Sequence, residues 1–65
     1  MNIPVTDLEK GDHIVLYPPS MTVNRTYRRK RVFNDGTDFI VEFNTGSLTF
    51  YEPGDEVEVD NREGE

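Results

Sequence analysis

Apolar and β-branched residues occur along this chain in short runs, and turn-forming residues separate the runs. The first run, His13 to Tyr17, lies between Gly11-Asp12 and Pro18-Pro19. After a loop predicted over residues 18 to 25, further runs span residues 26 to 33, 38 to 43, 47 to 51 and 56 to 60. Runs of this length and composition predict five β-strands. Thr6-Asp7-Leu8-Glu9 has capping-box spacing, but Gly11 follows so soon that only a short turn packed through Leu8 is expected.

The turn residues also predict how the middle strands pair. Two-residue turns at Asp35-Gly36 and Thr45-Gly46 supply the positive φ angles of tight hairpins. A three-residue Asn34-Asp35-Gly36 loop is the alternative for the first hairpin. The two-residue turns pair Val32 with Phe39, Phe43 with Leu48 and Val41 with Phe50, and they place Asp38, Ile40, Glu42, Thr49 and Tyr51 on a wet face. The expected core numbers about a dozen residues: Val5, Leu8, Ile14, Leu16, Val32, Phe39, Val41, Phe43, Leu48, Phe50, Val57 and Val59.

The order of strands and loop lengths over residues 11 to 60 resembles that of SH3-like small β-barrels. Ile14-Val15-Leu16-Tyr17 is similar to their first strand, and Glu52-Pro53-Gly54-Asp55 stands where their one-turn corner falls. The resemblance implies an all-β fold: a small five-stranded SH3-like barrel, largely antiparallel, with a short N-terminal turn. The chain lacks the tryptophan with which SH3 domains grip proline-rich ligands, so polyproline recognition is not expected. An architecture alone does not confer a function.

Length and composition narrow the class of protein. Sixty-five residues predict one domain over residues 1 to 65, with residues 61 to 65 as a frayed acidic tail. The chain has no cysteine, so we expect neither disulfides nor thiolate metal sites. The core of so small a domain leaves no room for a large internal pocket, and we expect no cofactor. No basic segment followed by an apolar run begins it, and no stretch reaches the roughly 20 apolar residues that span a bilayer. We therefore expect a cytoplasmic protein without membrane contact.

Charge is distributed unevenly along the chain. The formal net charge is −6, yet residues 25 to 31, here called the basic strip, hold four arginines, one lysine and no acid. In the expected register Arg28 and Lys30 share the core face with Phe43 and Val41, and burying an unpaired charge is unfavourable. The strand that carries the basic strip must therefore bend, bulge or extend beyond the barrel.

The basic strip predicts a non-enzymatic binding module that contacts an acidic protein surface. Arg28, Arg29 and Arg31 would make charge-assisted contacts, Tyr27 a stacking contact, and Arg25 and Lys30 the rim. The alternative is a nucleic-acid-binding accessory factor that uses residues 25 to 31. In a third interpretation the same cations pair internally with Glu42, Asp38 or the acids of the last strand. The expected state is a monomer or a weak homodimer formed through strand edges.

Two further features have a functional and a structural interpretation each. Glu56, Glu58 and Asp60 form an acidic row. Its functional interpretation is that it attracts a basic partner, mimics phosphate charge or binds hydrated cations weakly, and its structural interpretation is that it keeps a strand edge solvated. His13, beside Asp12, could serve acid-base chemistry, or it could be a surface or packing residue. The chain has no cysteine and no second histidine, so we expect no nucleophilic or metal-bound site and no enzyme.

Overall fold

A computed structural model describes residues 1 to 33 and 35 to 60. The strands are β1 (Asn2–Pro4), β2 (Val23–Lys30), β3 (Thr37–Phe43), β4 (Leu48–Tyr51) and β5 (Glu56–Glu58), and a single 3₁₀ turn covers Val5–Asp7. All strand pairs are antiparallel, and the described residues contain no α-helix. The all-β class and the short turn that buries Leu8 are confirmed.

The five strands form two sheets rather than one closed barrel within the described ranges. One sheet has the order β1-β5, and the other has the order β2-β3-β4. One isolated bridge, between Ile14 and Val59, lies outside the named strands in the part of the chain that the structure describes. The frayed tail expected at residues 61 to 65 lies outside the described residues, as does Asn34 in the first hairpin.

The strand expected over His13 to Tyr17 is wrong, because the chain turns there. Ile14 forms only its bridge to Val59, and the Tyr17 N–H then donates to the Ile14 carbonyl at 3.0 Å. Leu16, expected in the core, is 87% exposed. The main partner of β5 is instead β1, a strand too short for the sequence pattern to indicate.

The first hairpin is longer than either sequence-based alternative. The Arg31 N–H donates to the Gly36 carbonyl at 3.0 Å, and Arg28 rather than Val32 lies opposite Phe39. The predicted pair of Val32 and Phe39 is therefore wrong by four residues, since 32 minus 28 is four. An even shift preserves which side of β2 faces the core, but it moves Val32 into the connection, where it is 81% exposed.

The second hairpin differs from the expectation by one residue. The Phe43 N–H donates to the Ser47 carbonyl at 2.9 Å, and Gly46 has a φ of 89°. These features define a three-residue loop that ends in a left-handed glycine, in place of a two-residue turn. Glu42 consequently lies opposite Leu48, and Ile40 lies opposite Phe50. A one-residue slip exchanges the faces of β4, so Leu48 and Phe50 leave the core, while Thr49 and Tyr51 lie on the core side.

The core lies between the two sheets and the 3₁₀ turn. Of the expected core residues, Val5, Leu8, Ile14, Phe39, Val41, Phe43, Val57 and Val59 are buried. Leu16, Val32, Leu48 and Phe50 are exposed, whereas Ile3, Val23 and Ile40 are buried in addition. Tyr17, Met21 and Tyr51 pack against this core. Ile40 does not belong to the main cluster, because it lies on the opposite face of the three-stranded sheet.

Candidate macromolecule-binding site

Residues 25 to 30 of the basic strip lie in β2, an edge strand of the three-stranded sheet, and Arg31 directly follows this strand. Its pairing with β3 is interrupted between Val23 and Arg25, where the register shifts, and is continuous from Arg25 to Lys30. A bulge bends a strand and increases its local twist. Val23 is buried, and the charged residues after the bulge are exposed, so β2 leaves the core as the burial cost of Arg28 and Lys30 predicts.

The pairing register assigns the side chains of β2 to two faces, because residues directly opposite each other share a face. Tyr27, Ile40 and Phe50 form one row across the outer face, away from the main core. Arg25 and Arg29 lie on the same outer face. Arg28 and Lys30 lie on the other side, yet both are exposed.

Arg25 is an internally paired residue of the basic strip. Its Nε donates to Glu42 Oε1 at 2.9 Å, and its guanidinium lies 5.1 Å from the centre of the Tyr27 ring. The hydrogen bond from Arg25, together with one from Asn24, lowers the pKa of the Glu42 carboxyl below its usual value. Since 65% of the Arg25 side chain is exposed, this pair contributes little to stability.

Arg31 is also paired within the chain. Its Nε donates to Asp38 Oδ1 at 2.7 Å, and its Nη2 lies 3.9 Å from Glu52 Oε1. Only 33% of its side chain is exposed. The internal-pairing interpretation thus describes Arg25 and Arg31 correctly, and the contact role expected for Arg31 has little free charge to support it.

Arg28, Arg29 and Lys30 differ from their neighbours in the strip, and we call them the free cations. All three are exposed. None of them forms an ion pair or a side-chain hydrogen bond with another residue that the structure describes. The strip therefore keeps three positive charges in a chain of 13 acidic and seven basic residues.

An open groove adjoins two of the free cations, Arg29 and Lys30. Its volume is about 230 Å³, and its lining comprises Arg29, Lys30, Arg31, Val32, Phe33, Asp38 and Phe50. Phe33 is 97% exposed and Phe50 is 54% exposed. The groove is smaller than the roughly 300–1,000 Å³ of small-molecule sites. The sequence pattern predicts Val32 and Phe50 in the core and therefore does not indicate this exposed apolar surface.

The contacts of His13 with Asp60, Tyr17 and Pro18, here called the His13 clasp, lie outside the basic strip. The Nδ1 of His13 lies 2.9 Å from both carboxylate oxygens of Asp60, and its Nε2 lies 2.9 Å from the Tyr17 carbonyl oxygen and 3.0 Å from that of Pro18. Only an imidazolium can donate from both nitrogens. The hydrogen bond to Asp60 chiefly raises the pKa of His13 above 6.5. Among the described residues, Asp60 supplies the carboxylate that lies within hydrogen-bond distance of the His13 ring.

This clasp predicts a pH-dependent stability. Because folding raises the pKa of His13, its contribution is fully present below the unfolded pKa of about 6.5 and is lost as pH rises through the folded value. The urea midpoint of the wild type should fall between pH 6 and pH 9 more than that of His13→Asn. The difference between the two curves isolates His13 from other groups that titrate in this range. Parallel curves would contradict the clasp.

The acidic row does not assemble into a metal site. Glu56 and Glu58 are exposed on β5 opposite Pro4 and Asn2, and Asp60 binds His13. Across residues 1 to 33 and 35 to 60, no three histidine, aspartate or glutamate side chains are grouped so that they could hold a metal ion.

In the same ranges of the chain, no helix has the length and apolarity that crossing a bilayer requires.

Comparisons with models of known protein families, with curated proteins and with solved structures find no significant match to this chain.

Proposed function

We propose that this protein is a non-enzymatic binding module that contacts an acidic surface of a partner protein. The contact is made through β2 and through residues 31 to 33, which follow it in the first hairpin. One observation carries the proposal. Arg28, Arg29 and Lys30 lie exposed and without a carboxylate partner among the described residues, although the chain contains almost twice as many acids as bases. Charges that a protein does not neutralise itself are available for electrostatic complementarity with a partner.

The surroundings of the free cations favour a protein partner. Phe33, Phe50 and Val32 expose apolar surface next to Arg29 and Lys30. Aromatic residues and arginine are enriched in protein interfaces, where a buried apolar anchor is surrounded by a polar rim. In this proposal the groove takes an apolar side chain of the partner, and the free cations contact its carboxylates.

The SH3-like architecture belongs to the same proposal. The order of strands and corners supports it: a long connection precedes β2, two hairpins join β2, β3 and β4, and a tight corner leads into β5. In this proposal the two sheets are the two halves of such a barrel, in contact at the bridge between Ile14 and Val59. The β2–β3 hairpin, which carries the basic strip, then extends beyond the core that the two sheets share.

A nucleic-acid-binding accessory factor is the second candidate, and one observation favours it. The exposed ring of Phe33 and the guanidinium of Arg29 line the same groove, and single-stranded nucleic acid binds to aromatic and arginine side chains by stacking. Against it stands the net charge of −6, which opposes a phosphate backbone over most of the surface. The acids Asp38 and Glu52 also lie beside Arg31.

The proposal is tested by affinity capture from a lysate of the source organism, with and without nuclease. The variant Arg28→Ser, Arg29→Ser, Lys30→Ser removes the free cations and lowers the formal net charge from −6 to −9, since three positive charges are lost. We expect the wild type to retain protein partners after nuclease treatment and the variant to retain about a tenth as much or less.

A matched control separates the site from net charge. The double variant K10E/S20E also reaches −9, because the first change removes two units and the second removes one. Lys10 and Ser20 are exposed and lie near Val23, the first residue of β2. The distance along the strand from Val23 to Lys30 is about 23 Å at roughly 3.3 Å per residue. The control should capture as the wild type does. Equal capture by all three proteins would refute the proposal, and capture lost to nuclease would favour the nucleic-acid alternative.

A further inference from the structure

The outer edge of β2 carries backbone groups that no described strand uses. Among the strands of the described residues, β2 pairs only with β3. The Arg31 N–H donates to the Gly36 carbonyl, and hydrogen-bonded pairs alternate along an antiparallel ladder. In the observed register, the residues of β2 that bond to β3 are therefore Arg29, Tyr27 and Arg25. The N–H and C=O groups of the residues between and beside them, Thr26, Arg28 and Lys30, point away from β3. None of these groups has a backbone hydrogen-bond partner in the described ranges.

The free cations lie on both faces of the same strand. Arg29 lies on the outer face, whereas Arg28 and Lys30 lie on the core side. A partner that covers one face would reach only part of this charge. A strand laid along the edge of β2 places alternate side chains on both faces, so it reaches all three cations at once.

We propose that β2 binds an extended acidic segment of a partner protein by strand addition. The backbone of that segment pairs with the outward N–H and C=O groups of Thr26, Arg28 and Lys30. Carboxylates at consecutive positions of the segment then lie beside Arg28, Arg29 and Lys30, on alternating faces. This inference rests on the proposed function and specifies how the partner is bound.

The charge of β2 selects the occupant of its edge. Two copies of β2 placed side by side would bring like charges together, and such pairs are destabilising. Cationic residues on an edge strand commonly prevent this self-pairing. The same charges attract an acidic strand. The bulge lies before Arg25, and pairing with β3 is regular from there to Lys30, so the edge is straight enough to accept a partner.

Amide hydrogen exchange of the full chain tests the proposal. The probe is a capped peptide of about seven residues, with three consecutive glutamates flanked by valine and threonine. At a peptide concentration 100 times Kd, the amides of Thr26, Arg28 and Lys30 should exchange about 100-fold more slowly. The amides of Arg25 and Tyr27 should not change, because they already donate to β3. A docking contact made only by side-chain charges would not produce this alternation.

Two backbone-methylated forms of the peptide provide the matched control. Each carries N-methyl groups on alternate residues, in complementary patterns, so charge and sequence stay the same. Only the pattern that blocks the amides facing β2 should abolish binding.

Equal binding of both methylated forms, uniform exchange along β2, or no binding of the unmethylated peptide would overturn strand addition. So would an alternating pattern that depends on protein concentration without peptide, since a second copy would then occupy the edge. If capture still depends on the free cations in any of these cases, the proposed function stands and only the binding mode is wrong.

Discussion

Phe43→Ala is expected to lower the free energy of unfolding by about 3–5 kcal/mol, because it removes a fully buried aromatic side chain. Phe43 is 1% exposed, and its ring centre lies 4.8 Å from that of Tyr17. The Tyr17 hydroxyl in turn lies 3.0 Å from Thr49 Oγ1, so the cavity would also loosen the 13–17 turn. A domain of this size has a stability near the low end of about 5–15 kcal/mol, so the variant should keep about 0–2 kcal/mol, and between a few per cent and about half of it should be unfolded at 25 °C.

Phe50→Ala is the matched control for that measurement. The two phenylalanines belong to paired strands, but Phe50 is 54% exposed on the outer face opposite Ile40. Urea titration should give a loss below about 1 kcal/mol for Phe50→Ala. Similar losses for the two variants would contradict the observed register and support the one predicted from two-residue turns, in which Phe50 is a core residue.

The second large effect is expected at Asp12, a buried charged residue. It is 5% exposed, and its Oδ2 accepts the Glu9 N–H at 2.8 Å. Its backbone also binds β2, since the Asp12 carbonyl accepts the Val23 N–H at 2.8 Å. Asp12→Ala removes a charge-assisted hydrogen bond and leaves a void, and we expect a loss of about 2–3 kcal/mol in the free energy of unfolding.

The chain contains a second copy of this turn that serves as the control. Asp55 Oδ2 accepts the Glu52 N–H at 3.0 Å, and the Asp55 N–H donates to the Glu52 carbonyl at 2.9 Å. Asp55 is exposed. Water can replace the lost hydrogen bond there, so Asp55→Ala should lose about 0.5–1 kcal/mol. Equal losses at the two sites would show that the burial of Asp12 does not strengthen its contribution to the free energy of unfolding.

The positions of the turns could be predicted from the sequence, but their lengths could not. Thr45-Gly46 marks a reversal because glycine adopts a positive φ without strain, and Gly46 has a φ of 89°. A left-handed glycine fits both a two-residue turn and a three-residue loop. That single residue decides whether Leu48 and Phe50 face the core or the solvent.

The strand expected from His13 to Tyr17 was wrong for a different reason. Its local pattern favours a strand, but His13 binds Asp60, which is 47 residues away, as well as the carbonyls of Tyr17 and Pro18. No local pattern contains a contact of that separation. Tertiary contacts therefore override the β-propensity of Val15 and Leu16.

The basic strip could be identified from the sequence, but which of its cations are paired within the chain could not. Charge alone indicated the basic strip and the need for β2 to leave the core. Which cations remain free depends on the register, since Glu42 lies opposite Arg25 and Asp38 binds Arg31. The exposure of Phe33 and Val32 follows from the long first hairpin and was likewise hidden from the sequence pattern.

The proposed function requires Arg28, Arg29 and Lys30 to form a binding surface for a partner protein. The most direct test is the Kd of the nuclease-resistant partner for three proteins at one ionic strength: wild type, K10E/S20E and the variant with all three free cations replaced by serine. We expect the first two values to agree within about twofold and the third to be at least about tenfold weaker. Equal Kd values for all three proteins would contradict the claim.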